Sequence, residues 1–139
     1  MTLEECLEKK LIKKDNNTFE RINGSLKVSR HFLERAEGSF NIDYYDTSYL
    51  MSYNSLFHSA RALLFNKGYT ERSHYCLITF LKEEYSKYPQ VLKYLNLLNM
   101  YRSFRESIQY SGDLCSKEDS LGIKKSAYEF LSIVEDILK

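Results

Sequence analysis

The stretch TSYLMSYNSLFHSARALLFNKGY, residues 47–69, decides the fold. Its apolar positions Tyr49, Tyr53, Leu56, Phe57, Ala60, Leu63 and Leu64 recur at steps of three and four, the spacing of one broad helical face. Asp46-Thr47-Ser48 supplies polar residues suited to a helix start. Asn66-Lys67-Gly68 has the form of a helix end, with glycine at the left-handed position. A helix over about 47–67 is therefore expected.

The same periodicity extends in both directions. Thr2 and Glu5 have the spacing of a capping box and open a helix over about 3–13, with Leu3, Leu7 and Leu11 on one stripe. Asp15-Asn16-Asn17 ends it. A second helix over about 18–41 carries Phe19, Ile22, Leu26, Ser29, Leu33, Ala36 and Phe40. Gly24 inside it is read as a mark of close packing. Beyond Gly68, helices are expected over about 73–85, 90–111 and 116–138, divided by Pro89 and by Ser111-Gly112. Short connections favour antiparallel neighbours. The expected fold is all-α, an up-and-down bundle of four to five main helices. The whole chain, 1–139, reads as a single domain whose first helix, within 1–14, is peripheral.

Composition agrees. The 139 residues include 5 Gly and 1 Pro, too few for the turns of an all-β sandwich or the loops of a doubly wound α/β fold. With 43% hydrophobic residues the chain can fill a core, so wholesale disorder is excluded. The formal net charge of +1 excludes a strongly basic nucleic-acid coat protein. The middle of the chain is mildly basic and its ends mildly acidic, which suits a local basic cleft.

Cys6, Cys76 and Cys115 are far apart, and no CxxC occurs, so zinc-ribbon and thioredoxin readings fail. They read as isolated thiols of a reducing compartment. MTLEECLEKK is charged from its start, unlike a signal peptide, and no run of 18 apolar residues occurs. The expectation is a soluble, cytoplasmic protein without membrane contact.

Candidate chemistry centres on the fifth helix. Val91, Leu95, Leu98, Arg102, Arg105 and Gln109 share one face, so two arginines continue an apolar stripe. A guanidinium facing a core needs a carboxylate, phosphate or carbonyls to offset its desolvation. One reading is a pair of boundary arginines snorkelling to water, or a structural salt bridge to Glu106 or another helix. The other is an anion or RNA site, because Arg matches phosphate geometry in two-point contacts. Arg61, between Ala60 and Ala62 and near His58, is the second oddity, with an ordinary exposed Arg as its alternative. His31, His58 and His74 match no metal-binding spacing, so no metal is expected. No P-loop, G-x-S-x-G or G-x-G-x-x-G occurs. The 12 tyrosines read as core fillers with polar tips, as a dimer interface, or as base-stacking groups beside the arginines.

With these helices laid out, the chain resembles the HEPN (higher eukaryotes and prokaryotes nucleotide-binding) domains, in particular their small stand-alone prokaryotic members. Tyr53, Phe57, His58, Ala60, Arg61, Ala62, Leu63, Leu64 and Gly68 fit the family's Y-x-x-x-F-H-x-A-R-A-L-L helix ending at Gly. His74 fits the start of the following helix. Arg105 through Tyr110 (RESIQY) fits a later Arg-containing motif, with Gln109 where the family usually has Asp. The likeness is close over about 47–111 and rests on helix pattern elsewhere.

The resemblance implies a helical bundle, similar to nucleotidyltransferase substrate domains, that pairs into a homodimer. It implies binding of RNA, a nucleotide, or a minimal nucleotidyltransferase antitoxin partner within a toxin–antitoxin-like pair, with no cofactor and no DNA. Many members are metal-independent ribonucleases with an R-x4–6-H motif; others are binding or interaction modules. Here Arg105 is followed five residues later by Tyr110, and no His occurs after His74. Tyr, with an ordinary pKa of about 10, is a poor base where His is well poised. On a straight helix the five-residue step leaves Arg105 and Tyr110 about 140° apart, a gap that a frayed end at Gly112 or a dimer would close. The expected site is Arg105 and Tyr110 as catalytic residues, with Arg102, Arg61, His58 and His74 in binding. As alternatives the residues allow a ribonuclease using this R-x4-Y variant, with His58 or His74 brought in by folding, or a non-catalytic interaction module.

Overall fold

The apolar spacing produces the helices it predicts, and packing decides how closely they approach. The computed structural model describes residues 1–112 and 114–139 and is 76% helical. Its elements are α1 (Leu3–Glu8), β1 (Ile12–Lys14), α2 (Phe19–Asn41), α3 (Tyr45–Asn66), β2 (Tyr69–Glu71), α4 (His74–Glu84), α5 (Pro89–Tyr110) and α6 (Lys117–Ile137). Five of the six expected helices stand within two residues of their expected bounds. Gly68, at φ +85°, takes the left-handed conformation that lets the chain leave α3. Pro89 occupies the first turn of α5, where no N–H partner is needed. None of the described helices is long and apolar enough to cross a membrane.

The first expected helix is corrected. It stops after six residues, because Lys10 adopts φ +55° and the Leu11 amide bonds back to the Cys6 carbonyl at 2.9 Å. The chain then extends into β1, which pairs antiparallel with β2, Ile12 opposite Glu71. Three-residue strands are too short to show alternation in sequence. The Thr2 side chain accepts from the Glu5 amide at 3.2 Å, half of the expected capping box. A complete box forms instead at Ser116 and Asp119, opening α6.

A second correction concerns the cysteines. Cys6 and Cys76 are not isolated thiols: they form a disulfide, fully buried, joining α1 to α4 across 70 residues of chain. Only Cys115 is free. Gly24 is not a close-packing point either, since a Cβ there would meet nothing within 4 Å. Phe19, expected on the inner face of α2, is exposed.

The close approach comes from serine. Ser48, Ser52, Ser55 and Ser59 recur every three or four residues along α3 and are fully buried, as is Ser29 on α2. The Ser29 hydroxyl donates to the Ser55 carbonyl at 2.8 Å and lies 3.0 and 2.8 Å from the Ser55 and Ser59 hydroxyls. Ser48 donates to the Ala36 carbonyl, and Ser25 to that of His58, both at 2.8 Å. Small side chains bring the two backbones together, and the hydroxyls of Ser25, Ser29, Ser48, Ser55 and Ser59 find a carbonyl or another hydroxyl there, while that of Ser52 has no partner. α2 and α3 form the most extensive helix pair, and α3 also packs on α4, α5 and α6. Leu56, Leu63, Leu77, Leu95, Ile123 and Phe130 fill the core around it.

α6 closes the bundle through polar latches over that core. The Lys124 ammonium reaches Glu37 at 2.9 Å while lying 4.2 Å from the Phe40 ring centre. Tyr94 donates to Glu129 at 3.0 Å, and the Tyr101 hydroxyl lies 2.8 Å from that of Ser126. The tyrosines divide accordingly: Tyr49, Tyr53, Tyr85 and Tyr94 are buried, and Tyr44, Tyr75, Tyr88, Tyr110 and Tyr128 are exposed.

The serine seam makes a direct prediction. Ser29→Ala leaves the Ser55 and Ser59 hydroxyls short of a partner and is expected to cost about 1–2 kcal/mol. Ser29→Leu adds bulk where the backbones meet and is expected to cost more, about 3 kcal/mol. Urea unfolding midpoints measure both, and a leucine variant as stable as the alanine variant would contradict a close-packed seam.

Candidate functional site

Three helices converge on one imidazole. His74 is the first residue of α4, held in place by Ser73, whose side chain caps that helix by accepting from the Cys76 amide at 3.2 Å. From α3, the Tyr53 hydroxyl lies 3.1 Å from His74 Nδ1, and the Phe57 ring stacks on the imidazole at 4.0 Å between centroids. From α5, the Arg105 guanidinium lies over the Tyr53 ring, 4.6 Å from its centre. Tyr53, buried and one helical turn before Phe57, is the hub of this arrangement.

The expected salt bridges do not neutralise the two arginines. Arg102 meets Glu106 one turn along the same helix at 3.8 Å, with both side chains partly in solvent, a contact that contributes little. Arg105 makes no ion pair among the described residues, and its buried Nε has no hydrogen-bond partner. The quadrupole of Tyr53 offsets part of that desolvation. An anion supplying oxygen acceptors would complete it.

The field of these cations reaches the histidine. Burial, followed by Arg102, Arg105 and Arg61, pulls the His74 pKa down to about 4, so the imidazole is neutral at pH 7. Burial opposes ionisation of Tyr53 and outweighs the help of Arg105 and Arg102, so its pKa is raised. Its hydroxyl keeps its proton and can donate.

His58 and Arg61 take different places. Both line a groove of about 430 Å³ between α2 and α3, together with Arg21, Ser25 and Phe65. The His58 ring stacks on Phe32 of α2, and burial, then Arg61 and His74, lower its pKa to about 4. Arg61 is committed to Glu71 of β2 at 2.6 Å and lies 5.0 Å from the Phe65 ring centre. Glu71 is so enclosed that burial outweighs Arg61 and raises its pKa. Arg61 is thus neither the ordinary exposed Arg nor a free anion ligand.

The expected union of Arg105 and Tyr110 at a frayed helix end is corrected. Within one protomer α5 is regular to Tyr110, and the two side chains leave the helix on different sides. Tyr110 is 81% exposed. Within one protomer Arg105 meets Tyr53, twenty-one residues before His74 in the chain, rather than the tyrosine five residues after it. Sequence reading placed Tyr53 and Phe57 only in the apolar face and family pattern, and it passed over Glu71. Their signal was the four-residue step Tyr53, Phe57, Arg61, which puts two aromatics and a cation along one line of α3. Among the described residues no three His, Cys, Asp or Glu side chains are grouped to hold a metal ion.

The HEPN domain family model matches residues 23–137, most of the chain. The chain belongs to the HEPN domain family. The match takes in α3 to α6 and most of α2, and it leaves α1 and β1 outside. Comparison with curated proteins finds no match. In this HEPN domain the cluster of Tyr53, His74, Arg102 and Arg105 thus lies wholly within the matched span.

The depressed histidines carry a pH signature. Between pH 6.5 and 4 the unfolded chain takes up protons at these two sites and the native chain does not, so stability rises with pH through that window and levels off above it. His74→Gln is expected to flatten the slope, measured as urea midpoints against pH. A bound anion opposes the arginines, so NMR titration with inorganic phosphate is expected to raise the His74 pKa.

Proposed function

We propose that this HEPN domain is an RNA-binding component of a toxin–antitoxin-like pair, gripping a phosphate of the strand with Arg105, Arg102 and His74. The observation that carries the reading is the Arg105 guanidinium, half-buried with its Nε enclosed and unpartnered and without a carboxylate among the described residues. A phosphate offers what it lacks: negative charge and acceptors in the plane of the fork. The mutual hydrogen bond of neutral His74 and the Tyr53 hydroxyl uses one of the pair's two donors and leaves the other for the same place, and Phe57 adds an aromatic face. The homodimer and the minimal nucleotidyltransferase partner belong to this reading on the strength of the family resemblance.

A ribonuclease is the second reading, and His74 is the observation that favours it. Metal-independent cleavage needs a group to take the 2′-hydroxyl proton and cations to stabilise the phosphorane. His74, unprotonated at pH 7 beside Arg105 and Arg102, has that form. Its low pKa makes it a weak base, and a bound phosphate would raise it. In this reading the proton acceptor is His74 rather than Tyr110.

Fluorescence anisotropy with a labelled single-stranded RNA tests the site. Arg105→Ala is expected to weaken binding about 10- to 100-fold, the loss of a charge-assisted contact. Tyr110→Phe is expected to change it less than about twofold. Equal binding by Arg105→Ala and wild type would refute the site. RNA left intact across pH 5–9 would remove the ribonuclease reading and leave the binding reading in place.

A further inference from the structure

The first fifteen residues touch the rest of the molecule in a restricted way. α1 packs on α4 and β1 alone, and β1 on β2 and α4 beside it. None of α2, α3, α5 or α6 packs against either element. The Arg72 amide donates to the Leu11 carbonyl at 2.8 Å, and the Asp15 amide to that of Gly68 at 2.9 Å. Tyr75 donates to the Met1 carbonyl at 2.9 Å. Cys6 is bonded to Cys76. Apart from the pairing of Asp15 with Arg21 of α2 at 3.3 Å, these contacts bracket one segment, residues 68–76, and that segment carries Glu71, which holds Arg61, and His74, the centre of the anion cluster.

The strap cannot hold that segment by weak contacts alone. A six-residue helix is marginal in isolation, and so is a pair of three-residue strands. The covalent link closes a loop of about 70 residues, where a crosslink removes much chain entropy. It joins α4 at Cys76, within the same first turn that carries His74. The family span begins at residue 23, so Tyr53, Arg102 and Arg105 lie within it and the strap lies outside.

We propose that the Cys6–Cys76 disulfide is a redox-operated clamp on the anion site, holding His74 against Tyr53 and Phe57 when closed and releasing it when reduced. The proposal rests on the reading of that cluster as an anion site. Closing it transfers two electrons from the Cys6 and Cys76 thiols to a small-molecule disulfide of the glutathione type. One cysteine first forms a mixed disulfide, expelling one thiol; the second attacks it and expels the other. Opening is the reverse, driven by a dithiol. Both sulfurs are fully buried, and the Met1 sulfur lies 3.7 Å from Cys76 Sγ. Exchange therefore needs the strap to lift, which ties the chemistry to a local opening. Cys115 takes no part: burial, with Asp119 and Asp46 nearby, pushes its thiol up to about 11, leaving little thiolate to attack.

The test uses the full chain in three forms: equilibrated with glutathione disulfide, reduced with dithiothreitol, and as the Cys6→Ser/Cys76→Ser double variant. The His74 ring is followed by NMR, with His31 on α2 as reference, and a labelled single-stranded RNA is titrated into each form. The clamp predicts that the His74 signals shift in both open forms while those of His31 and the overall helical content are retained. It also predicts that open forms bind RNA about tenfold more weakly, one well-placed contact's worth. Unchanged His74 signals overturn it, whatever the RNA does. Three alkylatable thiols after equilibration with glutathione disulfide overturn it as well, and so does loss of helical content when the wild type is reduced. If neither form binds RNA but His74 still responds, the clamp stands and the assignment of the site to RNA falls.

Discussion

The close approach of α2 and α3 sets the position of every other element. It depends on side chains that are both small and able to satisfy hydrogen bonds: Ser29 against Ser55 and Ser59, Ser48 against the Ala36 carbonyl, Ser25 against the carbonyl of His58. With α2 drawn in on this side, α3 becomes the axis on which α4, α5 and α6 also pack. Its remaining surface must then serve several neighbours at once. Tyr53 faces His74 and Arg105, Phe57 faces His74, and Arg61 reaches Glu71. The site follows from how one helix is surrounded.

Electrostatics sharpen that geometry. Arginines placed where leucines would continue a core stripe suffer desolvation, and among the described residues Arg105 is answered by the face of Tyr53 alone. Burial, helped by the same cations, keeps His74 neutral. The result is a half-enclosed centre that gathers the Arg102 and Arg105 guanidiniums, the His74 imidazole and the Tyr53 hydroxyl. Arg61 shows the contrasting solution: a carboxylate at 2.6 Å makes it part of the scaffold, joining α3 to the small sheet.

α1 and β1 add a layer outside the span that the family model matches. β1 and α1 precede the matched span, yet they hold the segment from which Glu71 and His74 project. Because His74 opens α4 and Cys76 lies in its first turn, the two share a rigid piece of backbone.

Local spacing by itself determined the helices. The three- and four-residue steps of 47–67, the left-handed glycine at 68 and Pro89 at a helix start are interactions within a few residues of chain. The family likeness was legible for the same reason, in the order of Tyr53, Phe57, His58, Arg61 and His74. The arginine pair on the α5 stripe was legible as an anomaly, but not what answers it. What only tertiary structure decided depends on contacts between distant residues. Cys6 and Cys76, 70 residues apart, read as separate thiols until folding brought them together. Two three-residue strands carry no periodicity of their own, and their pairing is a fact about both at once. Arg105 was matched in sequence with Tyr110 because they are near in the chain, yet a regular helix turns neighbours five apart away from each other, and the bundle brings Tyr53 and His74 in from two other helices instead.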